Sequence, residues 1–196
     1  MTVFGNDQIS TLPTLTFQTS SENAEHDYKV TSASAAMRSN TLLKDTPQAV
    51  TVINKAILED IQATRLSEAL DVAGLGRANN FGGQGLTTFT SRGFTSGEYY
   101  RNGFPINRGY PNSPDSSTIE CVEVLRGASS SLYGRGDPGG TFNVVSKTPQ
   151  PDRKTTLGLS IDDEGLYRSN IDTTGSFTGD DRITYRLNLM GENGDT

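Results

Sequence analysis

The last forty residues constrain this chain more than any other part of it. In "DRITYRLNLM" (181–190), Ile183, Tyr185, Leu187 and Leu189 fall on one side of an extended chain. Arg182, Thr184, Arg186 and Asn188 fall on the other. "YRSNIDTTGSF" (167–177) repeats the pattern, with Tyr167, Ile171 and Phe177 set against Arg168, Asn170, Asp172 and Thr174. "TLGLSI" (156–161) puts Leu157, Leu159 and Ile161 on one face. A period of two is the signature of a strand with unlike faces. Segments of about ten residues separated by "DDEG" and "TGDD" suit two architectures. One is a transmembrane β-barrel with lipid-facing and lumen-facing rows. The other is a soluble β-sandwich hairpin, which also alternates. Long strands with charges on one side, in a chain with little other apolar material, favour the barrel.

Composition narrows the function. Of 196 residues, 33% are hydrophobic, none is Trp and 21 are Gly, a balance suited to turn-rich β structure. The net charge of -6 argues against a nucleic-acid partner, whose binding domains carry basic patches. Residues 152–196 alone sum to -4, five basic against nine acidic. Cys121 is the single cysteine, which excludes an internal disulfide. No run of 18 apolar residues forms a transmembrane helix, and no signal-peptide pattern is visible at the N-terminus.

Residues 1–44 are polar, Ser- and Thr-rich and aperiodic, and read as a flexible extended segment. From Asp45 onward the pattern changes. "DTPQAVTVI" suggests a strand carrying Val50, Val52 and Ile53. The pairs Ile57/Ile61 and Leu66/Leu70 suit two short helices ending at Gly74. A strand is expected near Thr88–Ser91, and Asn102-Gly103 signals a tight hairpin. "TIECVEVLRG" and "TFNVVSK" carry apolar residues on both faces, so both are expected to be central strands. "LYGRGDPGG" (132–140) contains a G-x-G-x-x-G spacing at Gly134, Gly136 and Gly139. A dinucleotide loop, however, follows a strand and opens a long helix. Here a helical turn precedes the glycines and a strand follows, so the stretch reads as a Gly/Pro turn, with an Arg-Gly-Asp adhesion tripeptide as the weaker alternative.

"DTPQAVTVI", "SRGF", "NGFP" and above all "TIECVEVLRGASSSLYGRGDPGGTFNVVSKTP" resemble the plug of TonB-dependent outer-membrane receptors, in their ferric-siderophore branch. The resemblance covers about residues 12–196. Ala128 stands where the family usually has Pro, and Cys121 where a basic or polar residue is common. The resemblance implies a small mixed α+β plug (45–151) inside a barrel of about 22 strands, of which 152–196 supply the first. It implies that Asp162–Gly165 face outside and that Thr178–Asp181 form a periplasmic turn. Bacterial barrels need at least eight strands, so the chain is expected to be a piece of a longer receptor.

The chemistry expected is recognition. His26, the only histidine, lies in the N-terminal segment, and no nucleophile has a base, so no catalytic residue and no enzyme is expected. No Cys/His metal spacing exists. The resemblance implies no cofactor, because iron arrives already wrapped as a ferric siderophore. It assigns chelate contacts to Arg77, Asn79, Phe81, Gln84, Tyr99, Arg108 and Tyr110 on two outward loops, against the plain reading of solvated loop residues. Arg92 in "SRGF" and Arg126 in "LRG" are implied to dock the plug onto glutamates of the barrel wall. The TonB box is placed at Leu12, Pro13, Thr14, Leu15, Thr16, Phe17 and Gln18, with "YKVTSA" (28–33) as its rival. Such a segment can add as a strand to a partner sheet. The partners implied are a ferric siderophore, the TonB protein and outer-membrane lipid, around a monomer in the bacterial outer membrane. A sensing receptor, uptake of another TonB-dependent ligand and a soluble adhesin-like β domain are the alternatives.

Overall fold

The computed structural model describes residues 28–33, 39, 41–77, 89–96, 99–106, 114–127, 129–134, 138–161, 165–177 and 182–194. Two short strands come first, β1 (Ser32–Ala33) and β2 (Thr41–Leu42), paired antiparallel. Thr31 accepts from the Leu43 N–H, and the Tyr28 hydroxyl donates to Asp60. This part of the stretch read as a flexible tail is therefore fastened to the domain that follows. Its sequence gives no such signal, because the bonds are mostly backbone.

The β-branched run of β3 (Ala49–Asn54) ends at Asn54, whose side chain accepts from the Ile57 N–H at 3.1 Å and caps helix α1 (Lys55–Asp60). The buried side of α1 is Ala56 and Leu58; Ile61, expected on that face, lies past the helix and is 40% exposed. Helix α2 (Leu66–Val72) matches its expected apolar stripe, burying Leu66, Ala69 and Leu70. The Glu68 carboxylate accepts from the Thr64 N–H at 2.6 Å at its start, and Gly74 at φ 68 ends it.

Strands β4 (Gly76–Arg77), β5 (Phe89–Ser91) and β6 (Phe94–Ser96) make a small antiparallel sheet. The β5–β6 turn is Arg92-Gly93, both at positive φ. Asn102-Gly103, also both at positive φ, turns β7 (Tyr100–Arg101) into β8 (Phe104–Pro105). The Asn102 side chain accepts from the Ser146 N–H at 2.8 Å, pinning that hairpin to its neighbour. Strand β9 (Ile119–Arg126), helix α3 (Ser130–Tyr133) and strand β10 (Gly140–Ser146) complete the domain.

The main sheet has the order β3-β9-β10-β7-β8, with β10 and β7 parallel and the other pairs antiparallel. Strands β9 and β10 are central, as expected: Val122 and Val144 are 0% exposed and Val124 2%. One face packs Ile53, Val122, Val124, Phe142 and Val144 under α1 and α2. The other packs Leu125 and Tyr100 against Tyr133 of α3. Burial on both faces explains why these strands read as continuous apolar runs. The Gly-rich stretch joins α3 to β10: Gly134 at φ 71 ends α3, and Gly139 and Gly140 lie so close to the Ser91 and Leu125 carbonyls that a Cβ would collide with either.

Strands β11 (Lys154–Ile161), β12 (Tyr167–Ser176) and β13 (Thr184–Asn193) form an antiparallel meander. Its register aligns Leu157, Ile171 and Leu189 across the sheet. That row is exposed, while Arg168, Asp172 and Thr174 are buried at 8%, 8% and 3% against the first domain. The sheet hides its polar face.

Candidate functional site

Residues at the seam between the mixed-sheet domain and the meander bring together most of the buried charge. At one end, Lys147 just past β10 reaches Asp172 of β12 at 2.9 Å, and Arg186 of β13 reaches the same carboxylate at 2.7 Å. All three side chains are 10% exposed or less. Arg186 also donates to the Thr148 carbonyl at 2.9 Å. Beside them the connecting segment is stitched to β12: the Gln150 N–H donates to Thr174 Oγ1 at 2.8 Å and the Ser176 N–H to the Pro151 carbonyl at 3.0 Å.

Further along β12, one Arg168 nitrogen, Nη2, donates to both carboxylate oxygens of Asp115, at 2.6 and 2.7 Å. Nη1 donates to Glu192 of β13 at 2.9 Å. Burial pushes the Asp115 carboxyl up, but hydrogen bonds from Arg168 and from the Ser117 backbone N–H outweigh it and hold it below the usual carboxylate range. A cavity of about 280 Å³ lies beside this cluster, between α1, the Ser116–Thr118 turn and β11–β12. The Ser117 hydroxyl is buried at its edge without a hydrogen-bond partner. Among the described residues no group of side chains is arranged to hold a metal ion, and no helix is long and apolar enough to cross a membrane.

Leu12–Gln18, Asn79, Phe81, Gln84, Arg108 and Tyr110 lie outside the described residues. Arg77 falls in β4. Tyr99 corrects the expectation of an outward loop residue: it is 4% exposed and stacks on Phe142 with centroids 5.1 Å apart. Burial pushes its hydroxyl pKa up, offset in part by Arg101. The rival "YKVTSA" segment holds β1 and is paired within the chain.

Arg92 sits exposed in the β5–β6 turn, its Nη1 so placed that a Cβ at Gly127 would be 3.2 Å away. Arg126 donates to the Ala73 carbonyl at the end of α2, where cations are favoured. Glu123, on the same strand as Arg126, is buried and accepts from Asn143 Nδ2 at 3.1 Å. The seam charges Asp115, Lys147, Arg168, Asp172, Arg186 and Glu192 are not among the residues that the sequence marks as a site. For Arg168, Asp172, Arg186 and Glu192 the sequence carries a signal: charges recur on the polar rows of 167–177 and 182–192, where a lumen-facing surface must find partners; Asp115 and Lys147 lie outside those rows.

The sequence pattern of the TonB-dependent receptor plug domain matches residues 42–141. The metal-pseudopaline receptor CntO of Pseudomonas aeruginosa is 44% identical over 185 residues, 92% of this chain and 26% of that protein. The catecholate siderophore receptor Fiu of Escherichia coli is 33% identical over 153 residues, 76% of this chain and 20% of that protein. The solved alcaligin outer-membrane receptor FauA of Bordetella pertussis superposes with a TM-score of 0.79 at 25% identity, covering 88% of this chain and 31% of that one. The chain thus spans about a quarter of the length of the curated relatives it matches. A mixed-sheet plug joined to a polar-faced antiparallel wall, in a chain with these relatives, belongs to the TonB-dependent receptor plug-domain family.

Proposed function

We propose that this chain is the plug and the first wall strands of an outer-membrane receptor that binds a ferric siderophore at its outward face and imports it by TonB-coupled transport. The observation that carries the reading is the inverted burial of the wall: Leu157, Ile171 and Leu189 point away from the plug while Arg168, Asp172 and Arg186 point toward it. An outward apolar band with a polar interior is what lipid on one side and a filled lumen on the other demand. Relatives whose names give metal-pseudopaline and catecholate siderophores support a metal chelate as cargo.

The chemistry needed is binding and movement, with no bond made or broken by the protein and no resident cofactor. Arg77, Asn79, Phe81, Gln84, Arg108 and Tyr110 would supply cationic, amide and aromatic contacts to a chelate that already fills the metal's coordination shell. Residues 12–18 would add as a strand to TonB. The receptor acts as a monomer, because one chain closes one barrel. The test is uptake of radio-iron by cells carrying the full-length receptor, with iron-loaded pseudopaline, pyoverdine and a catecholate as probes. Energy-dependent uptake of one of them, abolished by deleting residues 12–18 while binding persists, is the expected result. Binding and signalling without uptake would replace transport by sensing.

A further inference from the structure

The charges around Arg168 form a closed ring. Arg168 bonds Asp115 and Glu192, and Glu192 Oε1 lies 3.7 Å from Arg65 Nη2. Arg65 and Asp115 pair through an isolated backbone bridge, which closes the circuit. Two members come from the plug and two from the wall, with two positive charges and two negative. The Ser116 N–H donates to the Thr64 carbonyl at 3.3 Å, tightening the same junction.

We propose that Arg168 is a positioning residue for ligand binding: from the wall it fixes the bases of both plug segments that carry the chelate contacts. The proposal rests on the receptor reading above. Arg65 is the residue before α2, and α2 leads directly to Arg77 and the stretch holding Asn79, Phe81 and Gln84. Asp115 follows the stretch holding Arg108 and Tyr110. The Arg168 guanidinium therefore holds the root of one segment directly, through Asp115, and reaches the root of the other through Glu192 and Arg65. Arginine suits the task because different nitrogens of one rigid fork serve two carboxylates, where a lysine offers a single point charge. At 8% exposure the group is withdrawn from competing water. Simple attachment of the plug does not require it, since the Lys147–Asp172–Arg186 cluster and the stitched segment 147–151 hold the other end of the seam.

The test uses the full-length receptor in outer membranes, with uptake of iron-loaded pseudopaline, pyoverdine and a catecholate normalised to receptors at the surface. Arg168→Gln and Asp115→Asn should each raise KM on the order of tenfold, the scale of a moderate coupling between sites, with kcat per receptor little changed. The double variant should be no worse than either single one, and Arg168→Lys should fall between wild type and Arg168→Gln. A second readout needs no ligand. Ser117→Cys, in a Cys121→Ser background, replaces a buried unpartnered hydroxyl beside the ring. Its maleimide labelling should accelerate on the order of tenfold when Arg168→Gln is added, as coupling of that scale would imply. An unchanged KM with only fewer receptors, or additive losses in the double variant, overturns the proposal. If none of the three chelates is taken up by the wild type, the receptor reading fails on its own account. The labelling arm then decides, and an unchanged rate overturns the role of Arg168.

Discussion

Strands β10 and β12 belong to one chain and hide opposite kinds of side chain. β10 buries Phe142 and Val144 beneath the helices, with Thr141 and Asn143 buried on its other face. β12 buries Arg168, Asp172 and Thr174 and leaves Ile171 40% and Tyr167 59% exposed. The backbone ladders are alike; the solvent on each face differs. A plug strand lies between protein layers, so apolar area removed from water stabilises it. A wall strand needs lipid outside, and inside it needs a partner for every charge. The plug can therefore close its own core, whereas the three wall strands gain their outward face only in a bilayer and their inward face only from the plug.

The strongest way to break this contrast is to remove apolar volume from each side. Phe142 is fully buried, in contact with the Phe89 ring at 4.8 Å and the Tyr99 ring at 5.1 Å. Phe142→Ala should destabilise the plug by about 3–5 kcal/mol. Leu159→Ala, at a position 76% exposed, should leave plug stability within about 0.5 kcal/mol of wild type. Denaturant unfolding of the full-length receptor in detergent checks both; equal losses would mean that the two regions share one core.

Next comes the seam. Asp172→Ala leaves Lys147 and Arg186 facing each other at a site where both are nearly buried, and should cost about 3 kcal/mol. Replacing Lys147, Asp172 and Arg186 together by Met, Leu and Met should recover most of it, because well-packed apolar groups of similar volume substitute for a buried ion cluster. Thermal melting of the receptor and entry of large antibiotics report the two consequences. A triple variant as poor as Asp172→Ala would show that the charges themselves hold the plug. A smaller effect is expected on the lipid side: Ile171→Arg, in the middle of the outward row, should cost about 2 kcal/mol of insertion energy in vesicles. The same change should cost little in a detergent that lets the side chain reach water.

The sequence made the plug's centre legible because both faces of β9 and β10 are apolar, and the wall legible because its period is strict. The hairpin at Asn102-Gly103 followed from turn chemistry alone. Tyr99 misled for a physical reason. In "GEYYR" it stands among polar and Gly-rich neighbours, yet it directly precedes β7, consecutive residues of an extended chain point to opposite sides, and here both sides are covered: Tyr99 stacks on Phe142 and Tyr100 meets Tyr133. The seam ring escaped notice because Arg65, Asp115, Arg168 and Glu192 are far apart in sequence and meet only through the register of the wall against the plug. Cys121, one of the positions that depart from the family pattern, is explained by place: burial beside Glu123 and Glu120 pushes its thiol up to about 12, so it is inert at neutral pH.

The smallest effect expected is the response of the ring to acid, and its sign follows from Asp115. Arg168 and Ser117 hold the folded carboxyl below its unfolded value, which is about 3.9. A group with a depressed folded pKa contributes its full stabilisation above the unfolded pKa, and loses it as pH falls through the folded one. The charged groups facing Asp115 are Arg168, with Glu192 and Arg65 behind it. Unfolding free energy of the receptor, followed from about pH 5 down to about pH 2, should therefore fall more steeply for wild type than for Asp115→Asn, which has no proton to take up. Glu192 and Asp172 are present in both proteins, so the difference between the two curves isolates Asp115. Arg168→Gln should shrink that difference, because it removes the bonds that depress the carboxyl. Parallel curves for wild type and Asp115→Asn would mean that the ring's charge does not stabilise the seam, and that shape alone joins plug to wall at this end.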